Sequence, residues 1–335
     1  MQTRTLGRTG RTVSSIGLGT WQLGADWGDV DEADARAVLD ASAESGVTFF
    51  DTADVYGDGR SESIIGGWLA DHPGSGVTVA TKMGRRMPQE PENYSLVNFG
   101  EWTDRSRRNL GVDTLDLVQL HCPPTEVIAD GEVFDALDTL VDRGAIAAYG
   151  VSVETVAQAL TAIARPRVAS VQIIVNPFRL KPLDVVLPAA DAEGVGIIVR
   201  VPLASGLLSG KYTTDTTFAA NDHRTYNRDG SAFDVGETFA GVDFATGVRA
   251  AQQFAHFAPQ FVTDAPGGAV PTTAQLALAW VAAQPGVSTV IPGARNPEQA
   301  RANAAAGSIA LDPGLDDAVR ELYDREFREA VHSRW

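Results

Sequence analysis

Four ionisable side chains stand where apolar runs of this sequence break off. Phe49-Phe50 stops at Asp51, with Tyr56 five residues later; Val77 to Ala80 runs into Thr81-Lys82; Leu115 to Leu120 runs into His121. A short apolar run closing on polar residues reads as a buried strand whose end opens into a cavity. A carboxylate, a phenol, an ammonium and an imidazole on three consecutive strand ends suit the addition of hydride to a carbonyl carbon while a proton reaches the developing alkoxide. The phenol of Tyr56 can supply that proton if its pKa, about 10 when unperturbed, falls toward neutrality. A nearby ammonium favours that fall by stabilising phenolate. Lys82 is placed to be that ammonium, Asp51 to hold it in position and keep it charged, and His121 to orient the carbonyl oxygen or relay a proton. Singly, each has a bland reading: a helix cap, a loop aromatic, a solvated strand end, a core histidine. The joint pattern is what carries the functional one.

The elements that must position these groups alternate along the chain. Apolar strand-like runs fall at Ser15–Gly19, Thr48–Asp51, Val77–Thr81, Leu115–His121, Ala147–Ser152, Ser170–Asn176, Gly196–Val201 and Thr289–Pro292. Between them lie helically spaced segments, such as Val133, Phe134, Leu137, Leu140 and Val141, several ending near Gly46, Gly111, Gly144 or Gly194. This is the order of parallel βα units, and eight of them predict an α/β fold, a closed (β/α)8 TIM barrel; an open doubly wound sheet is the alternative. The opening residues, turning at Thr9-Gly10, read as an N-terminal β-hairpin capping the barrel bottom. A long polar loop after strand seven, about Thr213 to Phe244, is read as a lid, with surface decoration as the other reading. Helical patterns follow at Thr246–Ala258 and Thr272–Gln284, and a charged helix at Leu315–Ala330. Nothing marks an internal boundary, so residues 1–335 are read as a single domain.

Composition narrows the partners. The chain has 335 residues, 44% hydrophobic and 21% charged, and no apolar stretch approaches the roughly 20 residues a bilayer span needs. A net charge of −16 argues against a general nucleic-acid surface, which relies on clustered Lys and Arg. A single cysteine, Cys122, permits no intrachain disulfide, and no apolar leader follows Met1, so a cytoplasmic location is expected. Because strand neighbours face opposite ways, Cys122 is expected as a packed core thiol beside His121. A metal-dependent hydrolase would need several His, Asp or Glu ligands at strand ends; there are five histidines and one of them ends a strand, so no metal is expected. A non-catalytic cofactor-binding subunit on the same scaffold is the third alternative.

A Gly-x-Gly-x-x-Gly turn is missing after the first strand, where Gly17-Leu18-Gly19 leads into Thr20-Trp21, so a Rossmann site is disfavoured. Barrels bind phosphate at the loops after strands seven and eight and at helix N-termini. Strand seven, which carries Arg200, runs into Pro202, Leu203, Gly206, Leu208, Gly210 and Lys211, a small-residue loop with a cation. Strand eight runs into Gly293, Ala294 and Arg295, opening a helix with Pro297, Gln299 and Asn303.

In Asp51-Thr-Ala-Asp-Val-Tyr56-Gly57, in Ala80-Thr81-Lys82, in His121 and in these two loops, the chain resembles the aldo-keto reductase family over nearly its whole length. The resemblance implies a catalytic tetrad of Asp51, Tyr56, Lys82 and His121, with Tyr56 as general acid. It implies NADPH/NADP+ as cofactor, Arg295 meeting the extra phosphate. It assigns Gly19, Thr20 and Trp21 to the nicotinamide end, and Ser152 and Gln172 to the carboxamide, with Asn176 a further candidate. Two positions depart from the family's common pattern: Val153, where many members carry Asn, and Arg200, where many carry an aromatic that stacks on nicotinamide. A planar guanidinium can stack there too. The implied partner is a small aldehyde or ketone, held by Trp21, Trp27, Tyr56, Met83 and His121 with the Asn93–Tyr94 region nearby. Physiological substrate, reaction direction and oligomeric state stay open.

Overall fold

The computed structural model describes residues 1–24, 31–232 and 236–335. A hairpin opens it, β1 (Thr3–Thr5) pairing antiparallel with β2 (Thr12–Ser14). The barrel strands are β3 (Leu18–Gly19), β4 (Phe49–Asp51), β5 (Thr78–Met83), β6 (Leu117–His121), β7 (Tyr149–Ser152), β8 (Val168–Ile174) and β9 (Gly196–Arg200). A peripheral strand β10 (Val262–Asp264) precedes the last barrel strand, β11 (Val287–Val290), and pairs with β12 (Ala310–Leu311). The eight barrel strands hydrogen-bond in sequence order, all parallel. Parallel bridges from Ile16 to Val290 and from Gly19 to Gly293 join the first strand to the last. The fold is thus the expected TIM barrel, with helices between consecutive strands.

Strand alternation sorts the side chains into two layers. Phe49, Ala80, Leu117 and Ile198 point to one apolar cluster inside the barrel, together with Ile291 and with Leu6 and Val13 of the hairpin. Residues of the other parity, including Phe50, Val79, Val118, Val151, Val171 and Ile197, pack outward in the main core. The hairpin does plug the bottom: Gly7 lies so close to the start of β9 that an added Cβ would come 2.0 Å from the Gly196 amide nitrogen. Only glycine fits that approach, and its φ of 46° suits glycine as well.

Boundaries moved by a few residues where strand pairing overrides local pattern. Of the expected first strand, only Leu18–Gly19 forms a ladder, whereas β5 runs on to Met83 and β11 begins at Val287. The final helix runs over Gly314–Glu326 and breaks at Phe327, with a short turn at Arg328–Val331.

Candidate active site

Inward parity carries up the strands to their carboxyl ends, and there the apolar interior turns polar. Asp51 lies two residues above Phe49, Lys82 two above Ala80, Gln119 two above Leu117 and Gln172 two above Ser170; Lys82 and Gln119 are register partners. Lys82 Nζ ion-pairs with Asp51, donates to the Thr52 carbonyl at 2.9 Å and to Tyr56 Oη at 3.4 Å. Asp51 Oδ2 in turn accepts from Gln119 Nε2 at 3.1 Å and Gln172 Nε2 at 2.8 Å. Both members of the pair are almost fully buried, so these amide donors replace the water lost by Asp51, and the Thr52 carbonyl replaces that lost by Lys82.

Tyr56 comes from a loop rather than a strand, and close packing fixes it. Gly57, at φ 59°, lies against Gly24, where an added Cβ would sit 2.1 Å from the Gly24 carbonyl oxygen. Arg60 also donates to the Leu23 carbonyl oxygen. The Tyr56 ring stacks near Trp21 with centroids 6.3 Å apart and meets the His121 ring edge-on at 6.0 Å.

Electrostatics correct one expectation. Burial pushes the Tyr56 phenol above its ordinary value; Lys82 pulls it down, and Asp51 and Glu237 push it up. Burial outweighs the ammonium, so Tyr56 holds its proton at neutral pH instead of titrating near it. Burial also pulls on Lys82, downward, but Asp51 and Tyr56 more than offset it and the ammonium ends above its usual value. His121 is driven well below the ordinary histidine range by burial and by Arg85, Lys82 and Arg200, so its ring is neutral, and its Nδ1 is buried without a hydrogen-bond partner among the described residues.

These groups meet in a cavity of about 820 Å³ at the carboxyl ends of the strands. Asp51, Tyr56 and His121 line it, with Lys82 just behind, reaching it through Tyr56. Of the expected cofactor residues, Gly19, Thr20, Trp21, Ser152, Gln172 and Arg200 border it. So do Pro202, Leu203, Gly206 and Lys211 on one loop and Gly293, Arg295, Gln299 and Asn303 on the other.

The remaining expected residues in the described structure do not border the cavity. Leu208 and Ala294 are buried beneath the cavity wall, and Gly210 turns the chain at φ 71° against Thr273. Met83 has the outward parity of Val79 and Thr81, and its Sδ packs 4.0 Å from Thr103 Oγ1 on the helix Leu96–Leu110. Tyr94 is buried in the core, accepting from Gln89. Asn176 closes a local turn, accepting from the Phe178 amide and donating to the Val201 carbonyl. Trp27 lies outside the described residues.

Cys122 reverses its expectation. The strand ends at His121, Cys122 takes a φ of 47°, and alternation no longer applies. Its thiol borders the cavity, 3.4 Å from Ser152 Oγ. Arg200, expected to stack, is ion-paired with Glu237 of the long loop and donates to the Val153 carbonyl oxygen at 3.3 Å.

Sequence reading missed Gln119, hidden inside an apolar run although its parity with Leu117 and His121 marks it as inward. It also missed Arg85 and Glu237 in the loops. His223, on the short helix His223–Tyr226, tilts against Trp21 at 5.6 Å and is held near pKa 4 by burial, so it too is neutral. The long loop therefore walls the cavity, as a lid would. Among the described residues no cluster of three or more His, Cys, Asp or Glu could hold a metal, and no helix is long and apolar enough to cross a membrane.

The model of the Aldo/keto reductase family matches residues 15–324. The chain belongs to that family. Its similarity to the oxidoreductase Rv2298 of Mycobacterium tuberculosis is 34% identity over 330 residues, covering 96% of this chain and 93% of that one. To the aldo-keto reductase yakc [NADP(+)] of Schizosaccharomyces pombe it is 28% over 332 residues, 97% and 92%. The solved holo form of aldo-keto reductase AKR11C1 from Bacillus halodurans superposes with a TM-score of 0.74 at 26% identity, covering 100% and 99%.

The cavity's donor set suits a long anionic cofactor. Lys211 and Arg295 border it, as do Gln299 and Asn303 of the helix Pro297–Ala305, whose N-cap is Asn296. Asn303 Nδ2, donating to the Gly293 carbonyl at 3.1 Å, fixes the turn between them.

Proposed function

We propose that this aldo-keto reductase, acting as one unit over residues 1–335 in the cytoplasm, reversibly reduces small aldehydes or ketones to alcohols with NADPH. The observation that carries the reading is the placement of Lys82 Nζ between Asp51 and the Tyr56 hydroxyl, at the cavity wall. Bound along the cavity, with its extra phosphate against Arg295 and Lys211, NADPH would supply a hydride. Those two cations, and the relative whose name carries NADP(+), support NADP over NAD.

Tyr56 Oη gives its proton to the carbonyl oxygen as charge gathers there. Lys82, already donating to Tyr56 Oη, stabilises the phenolate left behind, and Asp51 keeps the ammonium charged and aimed. Neutral His121, at the cavity wall, can hold the substrate oxygen by a ring N–H. Trp21 and the Tyr56 ring form an apolar wall that keeps water from the reacting carbon.

NADPH consumption with a panel of simple aldehydes and ketones tests the reading, with Tyr56→Phe as control. Aldehyde-dependent oxidation that collapses in the variant is expected. NADPH binding without turnover of any carbonyl would contradict it.

A further inference from the structure

Arg85 stands just beyond β5, beside the catalytic end of the cavity, and the mechanism above gives it no task. Its Nε donates to the carbonyl oxygen of His121 at 3.1 Å, which ties the guanidinium plane to the strand end that carries the catalytic imidazole. Nη1 and Nη2 make no hydrogen bond to the described residues. The nearest carboxylate, Glu154 Oε1, is 3.8 Å from Nη2, beyond hydrogen-bond reach, and the side chain is 28% exposed. Lys82 and Arg200, the neighbouring cations, are each in direct contact with a carboxylate, Asp51 and Glu237. Arg85, which borders the cavity, is the one of these three whose terminal nitrogens make no hydrogen bond to the described residues.

A guanidinium fixed at Nε and open at both η nitrogens matches a carboxylate through two parallel hydrogen bonds. We propose that Arg85 is a specificity-determining residue that selects carbonyl substrates carrying a carboxylate a short distance from the carbonyl. This rests on the reductase reading above. Glu154, facing Arg85 across the cavity mouth, is the internal competitor for the same donors.

Two measurements test it. The first is the ratio of kcat/KM for 4-carboxybenzaldehyde over 4-methylbenzaldehyde with NADPH. A partly unfolded variant lowers both rates and leaves the ratio alone. Arg85→Gln is expected to lower the ratio about tenfold or more, chiefly through KM; Arg85→Lys, keeping charge without the fork, falls between, and Glu154→Gln raises it roughly threefold. The second is the Kd of 4-methylbenzoate, followed by tryptophan fluorescence, expected to weaken about tenfold or more in Arg85→Gln. Reduction of both aldehydes with a ratio that Arg85→Gln leaves unchanged, or an unchanged benzoate Kd, overturns the assignment. If neither aldehyde is reduced, the reductase reading fails, and the benzoate measurement still decides whether Arg85 binds carboxylates.

Discussion

The two walls of the cavity are built by different physics. On the tetrad side every functional atom hangs from a barrel strand or a loop packed glycine against glycine, and a buried charge pair is held by amide donors from two further strands. On the lid side the contacts are made by the long loop after β9. Glu237 pairs with Arg200, Ser205 Oγ donates to the Glu237 carbonyl at 2.5 Å, and His223 rests on Trp21. The first wall is thus anchored in the barrel ladder, whereas the second is held by the contacts of a single loop.

Substitutions should separate the two walls. Lys82→Met leaves the Asp51 carboxylate buried with amide donors but no counter-charge, and a loss of about 3–5 kcal/mol in unfolding free energy is expected from denaturant titration, along with loss of turnover. Stability within about 1 kcal/mol of the parent would mean the pair is less dry than its burial indicates. Gln119→Leu removes one donor from Asp51 Oδ2 and should cost about 1–3 kcal/mol. It should also lower kcat, because Asp51 then aims Lys82 less well.

Asp54 offers a pH handle behind the same wall. Its carboxyl is buried and is raised to about 7 by burial first and then by Glu62, against the pull of Arg86, Arg105 and the Val55 amide. A carboxyl raised in the folded state contributes stability that is full below its unfolded pKa, near 4, and is lost as pH climbs to about 7. The stability difference between Asp54→Asn and the parent should therefore shift in favour of the variant between pH 4 and 7, by at most about 1.4 kcal/mol per pH unit, and level off above. A difference that stays flat over that window would show Asp54 ionised and solvated. Smallest is the effect on the lid: Glu237→Gln should weaken NADPH binding by roughly fivefold, about 1 kcal/mol, while leaving unfolding free energy nearly unchanged.

What the sequence revealed follows the same division. Apolar runs ending in Asp51, Lys82 and His121 announced the strand ends, because period-two alternation inside a barrel is fixed by the core beneath them. The same rule, applied to Met83, would have turned it outward, and applied to Gln119 would have found it inside the barrel. Cys122 escaped because one positive φ past the strand cancels alternation, and no residue type at that position signals it. The cation at Arg295 was legible from the helix start that follows it. The Arg200–Glu237 pair was not, since its partners are 37 residues apart on a loop whose path no local periodicity dictates.

The account stands on Tyr56 as the proton donor. Single-turnover oxidation of NADPH by Tyr56→Phe with an aldehyde the parent reduces should slow by roughly 10²–10⁴-fold, with NADPH affinity unchanged. A variant that reduces the aldehyde at the parental rate would place the proton source elsewhere and contradict the assignment.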